Sequence, residues 1–210
     1  MLHNKLILSN NKNTFKPAIF CDRDGVLIDD LHYISDPKKV FLLEGAKNLL
    51  NIAKSLEFYF IVITNQSGIH RGLLSWQEYE AVTYKMLDLL ENNAHISAIY
   101  ANACSPNSED SWRKPNTGMI NEAAKDFNID IKKSILIGDR LTDLIAGAKV
   151  SCAKLIHVKT GHGAKETKMI KNYFMENNFD KDCKLISINN ISEINANLLL
   201  GDHYKNENKI

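Results

Sequence analysis

The segment Ala18-Ile19-Phe20-Cys21-Asp22-Arg23-Asp24-Gly25-Val26-Leu27 decides how the rest of the chain is read. Four apolar residues run into two carboxylates one residue apart, and a glycine comes next. A short run of this kind, closed by a glycine turn, predicts a buried parallel strand whose C-terminal end opens into a ligand crevice. In extended backbone, residues i and i+2 face the same side, so Asp22 and Asp24 can converge on one metal ion or one reacting group. Their charges repel unless a cation lies between them. Asp-x-Asp also occurs in plain Asx-rich turns, so its meaning depends on what the neighbouring segments bring.

Downstream, Val26 to Val40 has no sustained period and reads as a long loop or small hairpin over the strand end, carrying Asp29, Asp30 and Tyr33. Apolar residues at helical spacing predict a helix over 44–55, and Phe58 to Ile63 is a β-branched and aromatic strand. That strand also ends in polar residues, Thr64-Asn65-Gln66-Ser67-Gly68. A right-handed parallel unit would set its C-terminal end beside the first. Ser75 with Glu78 predicts a capping box, followed by the longest helix, to Asn93. Further strands are expected over 96–103, 134–138, 153–158 and 184–188. Helices are expected over 117–127, 142–150, 165–179 (weakly) and 191–200. The alternation selects an α/β, doubly wound, Rossmann-like parallel sheet. Upstream, residues 1–16 include Asn10-Asn11-Lys12-Asn13 and read as a flexible tail; 17–201 form a single domain and 202–210 a second tail.

The 210 residues, 44% hydrophobic and 24% charged, suit one ordinary globular domain. A net charge of +1 supplies no basic field for nucleic acid or an anionic membrane, so an anion would have to be bound by a local site. Cys21, Cys104, Cys152 and Cys183 contain no CxxC pair, which argues against a disulfide framework or a zinc ribbon. No segment reaches membrane-span length and no signal-peptide core is present, so a cytoplasmic location is expected. The chain is also expected to be a monomer.

Four polar clusters would meet on one edge of this sheet: Asp22 and Asp24, Thr64 and Asn65, Arg113 and Lys114, and Asp139 with Asp143. Three carboxylates make a hard-oxygen site suited to Mg²⁺. A hydroxyl and an ammonium beside it are what a phosphoryl group requires, because its equatorial oxygens carry the charge to be stabilised in transfer.

These motifs, in this order, resemble the four motifs of the haloacid dehalogenase superfamily of phosphatases: Asp22-x-Asp24-Gly25-Val26-Leu27, Thr64-Asn65-Gln66-Ser67-Gly68, Arg113-Lys114-Pro115 and Gly138-Asp139-x-x-x-Asp143. Asp22-Arg23-Asp24-Gly25, Ser67-Gly68-Ile69 with Arg71-Gly72, and Arg113-Lys114-Pro115 narrow the resemblance to the branch of the D-glycero-D-manno-heptose 1,7-bisphosphate and histidinol-phosphate phosphatases. The resemblance covers roughly residues 18–160 and implies a small flap in place of a large cap domain. It also implies Asp22 as nucleophile, Asp24 as acid and base, and Thr64 and Lys114 as holders of the phosphoryl oxygens. Mg²⁺ would be bound by Asp22, Asp139 and the Asp24 main-chain carbonyl, with Asp143 in support. Asn65, Gln66, Ser67, Arg71 and Arg113 would contact the substrate. The arginines favour an anionic polyol, a heptose bisphosphate on the way to surface polysaccharide, over histidinol phosphate. A phospholigand-binding module without turnover is the non-enzymatic alternative.

The sequence departs from the branch at one place. Its enzymes usually carry a zinc loop, Cys-x-His followed by Cys-x-Cys before the Arg-Lys pair. Here Cys104-Ser105-Pro106-Asn107-Ser108-Glu109-Asp110-Ser111-Trp112 keeps only the first cysteine. No structural zinc is expected, and the loop must be held by packing, with Trp112 a candidate.

Overall fold

The computed structural model describes residues 1–9, 14–91, 95–177, 179, 180 and 182–201. Its strands are β1 (His3–Ile7), β2 (Ala18–Cys21), β3 (Tyr59–Asn65), β4 (Ile96–Asn102), β5 (Ile135–Gly138), β6 (Lys154–Val158) and β7 (Lys184–Ile188). They form one sheet in the order β1-β4-β3-β2-β5-β6-β7, parallel throughout except where β1 meets β4. This is the expected doubly wound α/β architecture. β2 pairs with β3 on one side and β5 on the other, so the chain leaves its C-terminal end in both directions and a crevice opens there.

The helices are α1 (Ala46–Ser55), α2 (Ser67–His70), α3 (Trp76–Leu90), α4 (Gly118–Phe127), α5 (Leu141–Lys149), α6 (Gly163–Glu176) and α7 (Ala196–Leu200). Strand alternation assigns the two faces of the sheet. Ile19 and Cys21 of β2, with Phe60 and Val62 of β3, pack against α1, α3 and α7. Ala18 and Phe20, with Tyr59, Ile61 and Ile63, pack against α4, α5 and α6. Both faces are covered, which is why the central strands read as continuous apolar runs. Each fully buried large side chain contributes roughly 1.5–3 kcal/mol. Ser75 caps α3 as its spacing predicts: its hydroxyl accepts from the Glu78 amide at 3.2 Å, and the Glu78 carboxylate accepts from the Ser75 amide at 2.6 Å.

Two readings of the sequence require correction. Residues 3–7, assigned above to a flexible tail, form an edge strand, His3 opposite Asn102 through Ile7 opposite Ala98. The local sequence looks weak because the partner lies far along the chain and supplies the pairing. The helix expected over 191–200 is split into a 3₁₀ turn at Ile191–Glu193 and α7, because the Asn195 side chain accepts from the Leu198 amide and starts a new helix. Ser67–His70, for which the sequence predicts no element, forms a single helical turn. The asparagine cluster at 10–13, the expected end of α3 at Asn93 and the tail at 202–210 lie outside the described residues.

Candidate active site

The end of β2 delivers Asp22 into a cavity of about 260 Å³. Glycine backbones make the approach possible. Gly25 has φ +78°, and a Cβ there would lie 2.7 Å from Asp139 Oδ2; a side chain at Gly138 would collide with Asp143. Loops after β2, β3 and β5 and the β4–α4 connection thereby bring Asp22, Asp24, Thr64, Lys114, Asp139 and Asp143 to one place.

Lys114 is the hub. Its Nζ lies 2.7 Å from Asp143 Oδ1 and 3.1 Å from Asp22 Oδ1, and donates to the Ile63 carbonyl at 2.8 Å. Burial alone would lower this ammonium, but Asp143 and Asp22 outweigh it and hold it above its ordinary range. The other oxygen of Asp143 accepts from the Arg140 amide at 3.0 Å, in the first turn of α5. Asp143 thus faces Lys114 and not open solvent.

Burial pushes the Asp22 carboxyl up to about 7, with Lys114 pulling the other way and Asp143 and Asp24 adding to the rise. For Asp139, burial and then the charges of Asp143 and Asp22 push it up to about 9. Asp139 Oδ2 accepts from the His162 amide at 2.7 Å, while its buried Oδ1 has no hydrogen-bond partner among the described residues. Carboxylate oxygens of Asp22, Asp139 and Asp143 lie within 4.8 Å of one another. An orphaned buried oxygen in a knot of repelling carboxylates fits a hard divalent cation.

The raised carboxyls link stability to pH. Between the ordinary carboxyl value of 3.8 and about 9, the folded chain holds protons that the unfolded chain has released, so stability falls as pH rises through that window. A cation replaces those protons. Mg²⁺ is therefore expected to raise the melting temperature more at about pH 8.5 than at about pH 6, measured against chelator at each pH; equal shifts at both would exclude a cation at these carboxylates.

Asp24 is oriented from beneath. The fully buried Arg23 donates to both its oxygens at 3.0–3.3 Å, rests 5.0 Å above the Tyr79 ring, and reaches Thr83 at 3.2 Å. Gln66 Nε2 bridges Asp24 at 2.7 Å and the Thr64 hydroxyl at 2.8 Å. Nothing in the spacing of Arg23 announces that support, since an arginine between two aspartates reads as exposed.

The expected substrate contacts divide. Asn65, Gln66 and Ser67 line the cavity. The Asn65 amide is already engaged: it donates to the Lys114 carbonyl at 3.1 Å and accepts from the Lys114 amide at 3.2 Å, a clamp that fixes Lys114. Arg71 lies over the Tyr33 ring and Arg113 donates to the Cys104 carbonyl at 2.8 Å; neither lines the cavity itself. Burial, and then the positive charges of Arg140 and Arg71, lower the Arg113 guanidinium, with Cys104 acting in the opposite direction. Arg140, Thr142 and His162 also line the cavity, and sequence reasoning does not single them out as contacts. The first two lie within the Gly138-to-Asp143 motif, and its position at a strand end is the available signal.

The β4–α4 loop is organised by Asp110. Its carboxylate accepts from Asn102 at 2.7 Å and the Trp112 amide at 2.8 Å and contacts His3 Nε2 at 2.9 Å; its carbonyl accepts from Asn116 at 2.9 Å. The His3 ring stacks on Trp112 with centroids 4.6 Å apart. His3, Cys104 and Asp110 bring one donor atom each within 4.8 Å. The sequence points to the cysteine but not to the histidine, which arrives on β1.

A HAD-hydrolase-like family model matches residues 111–177. Among curated proteins, the D-glycero-alpha-D-manno-heptose-1,7-bisphosphate 7-phosphatase of Photorhabdus laumondii is 36% identical over 182 residues, covering 83% of this chain and 98% of that protein. The D-glycero-beta-D-manno-heptose-1,7-bisphosphate 7-phosphatase of Helicobacter pylori strain 26695 is 36% identical over 137 residues, covering 64% and 79%. Of solved structures, a HAD-like phosphatase from Mesorhizobium loti aligns with TM-score 0.71 at 31% identity, covering 75% and 80%. The D,D-heptose 1,7-bisphosphate phosphatase of B. bronchiseptica, complexed with magnesium and phosphate, aligns with TM-score 0.70 at 26% identity, covering 84% and 94%.

Proposed function

The chain belongs to the haloacid dehalogenase-like hydrolases, among the heptose-1,7-bisphosphate 7-phosphatases, and from that premise we propose that it removes the 7-phosphate of D-glycero-D-manno-heptose 1,7-bisphosphate. The observation carrying this reading is the meeting of Asp22, Thr64, Lys114 and Asp139 at the end of β2, with Arg140 in the wall of the same cavity and Arg113 feeling the charges of Arg140 and Arg71. One phosphate meets the buried cation and hydroxyl, and the guanidiniums suit the other.

In this reading an Asp22 carboxylate oxygen attacks phosphorus, and the bond to the ester oxygen breaks. Asp24, held by Arg23 and Gln66, gives its proton to the leaving alkoxide. It then takes a proton from water, whose oxygen attacks the aspartyl phosphate and releases inorganic phosphate and the Asp22 carboxylate. Thr64 and Lys114 hold the equatorial oxygens. Mg²⁺ would be held by Asp22 and Asp139 with the Asp24 carbonyl, and supplies charge neutralisation for the phosphoryl oxygens. The test is kcat/KM for the bisphosphate beside histidinol phosphate; a clear preference for histidinol phosphate would reverse the assignment.

Arg113→Ala is expected to raise KM for the bisphosphate roughly tenfold, and for p-nitrophenyl phosphate by less than about threefold, because only the larger substrate has a second anion to lose. Equal losses on both would place Arg113 at the reacting phosphate.

Zinc is not required in this reading. Asp110 already gathers β1, β4 and the loop with hydrogen bonds, and the described residues offer three donors there, not four soft ones. Elemental analysis of dialysed protein should find less than about 0.1 zinc per chain, and chelation should leave the loop's trypsin resistance unchanged. One zinc per chain that survives dialysis in wild type and is lost in Cys104→Ser would assign His3, Cys104 and Asp110 to a metal instead.

A further inference from the structure

At the mouth of the cavity, a second set of donors comes from two separate segments. Asp30 and His32 belong to the flap after β2, and His162 to the turn between β6 and α6. His162 Nε2 lies 3.0 Å from Asp30 Oδ2, and His32 Nδ1 lies 3.7 Å from Asp30 Oδ1. Donor atoms of all three lie within 4.8 Å of one another. The imidazole centroids are 5.5 Å apart with planes inclined at 50°, so the rings do not stack on each other.

The flap backbone holds this arrangement. His32 and Tyr33 both have positive φ, 49° and 61°, a conformation uncommon for side chains of this size and concentrated at functional sites. The His32 amide donates to Asp30 Oδ1 at 3.0 Å, closing a local turn. Tyr33 is fixed in turn: it lies against Arg71, and a side chain at Gly68 would strike its ring.

We propose that Asp30, His32 and His162 form a binding site for a borderline divalent metal ion, of the Ni²⁺ or Zn²⁺ class, separate from the buried carboxylate site. Two imidazoles and one carboxylate are a donor set for such ions and a poor one for Mg²⁺, which takes oxygen ligands. Ligands of a tetrahedral zinc stand about 3.3 Å apart at metal–ligand lengths near 2.0–2.1 Å. The Asp30–His162 pair is already at that spacing, and His32, whose side chain is 73% exposed, has room to close the remaining distance. Asp30, His32 and His162 all line the cavity. A bound ion would tie the flap to the β6–α6 turn across the entrance and obstruct the approach of substrate, making the site inhibitory.

The test uses the full chain in excess Mg²⁺, so that the carboxylate site is occupied, and measures uptake of Ni²⁺ by equilibrium dialysis. One equivalent is expected. His32→Asn, chosen because asparagine tolerates positive φ, should weaken uptake at least tenfold, and His162→Gln likewise. Because His32 lies on the surface, its variant carries the test even if His162→Gln fails to fold. Ni²⁺ should slow p-nitrophenyl phosphate hydrolysis by wild type, and His32→Asn should need at least tenfold more for the same inhibition. Absence of uptake in excess Mg²⁺, or uptake that His32→Asn does not change, would overturn the site. The dialysis needs no turnover, so its failure is distinguishable from failure of the phosphatase assignment.

Discussion

Asp22→Asn is expected to eliminate phosphate release, lowering kcat by at least about 10³-fold while the protein stays folded. Asparagine has nearly the same volume as aspartate but no anionic oxygen to attack phosphorus. The substitution also removes one of the three buried carboxylates that repel one another around Lys114, so the melting temperature should move by no more than about 3 °C. The discriminating measurement is a single-turnover assay with acid quench: wild type should show protein-bound phosphate and the variant none. A variant retaining more than about a twentieth of wild-type activity would remove Asp22 from the nucleophile's position.

Lys114→Met should have the largest combined effect. Methionine fills much of the volume of the lysine but leaves the buried carboxylates of Asp22 and Asp143 without their shared ammonium. Removing one partner of a buried ion pair typically costs about 3–5 kcal/mol. For a chain of this length that is a fall of about 10 °C in melting temperature. The fall should shrink at lower pH, where the raised Asp22 and Asp139 carboxyls are protonated and need no counter-charge. Activity should drop with it, by about 10³-fold, since the charge that holds the phosphoryl oxygens is gone. Differential scanning calorimetry between about pH 5.5 and 8.5 checks the stability part; an unchanged melting temperature would mean that Lys114 does not compensate these carboxylates.

Legibility in the sequence differs from residue to residue, and the difference has a physical origin. The strand ends can be read because a fully buried parallel strand is an uninterrupted apolar run, and the chain turns polar immediately after Cys21, Ile63 and Gly138. Position at a strand end is thus a one-dimensional property. Hydrogen-bond allocation is not. Asn65 reads as a substrate contact by motif, yet its amide closes on the Lys114 backbone, and only the fold reveals that the two are neighbours. Arg23 escapes sequence reasoning for the same cause: its burial depends on Tyr79 and Thr83 of α3, which lie far away in sequence. His3 and His162 arrive at their clusters through strand pairing and a turn, each contributing one residue, and a single histidine carries no pattern.

The pairing of β1 has a consequence for how the chain is made. Ile7 meets Ala98 and His3 meets Asn102, so β1 cannot find its partner until β4 has been synthesised. Closing so long a loop is entropically slow unless other elements first bring the ends together. β2, α1 and β3 can assemble meanwhile, and β1 then adds as a late sealing strand along an edge that would otherwise offer open backbone groups to another chain. During that interval the nascent protein is most exposed to strand-mediated association. The Asp110 knot, which needs His3 from this strand, becomes complete only once it has docked. Order of synthesis therefore delays the docking of β1 until β4 is in place.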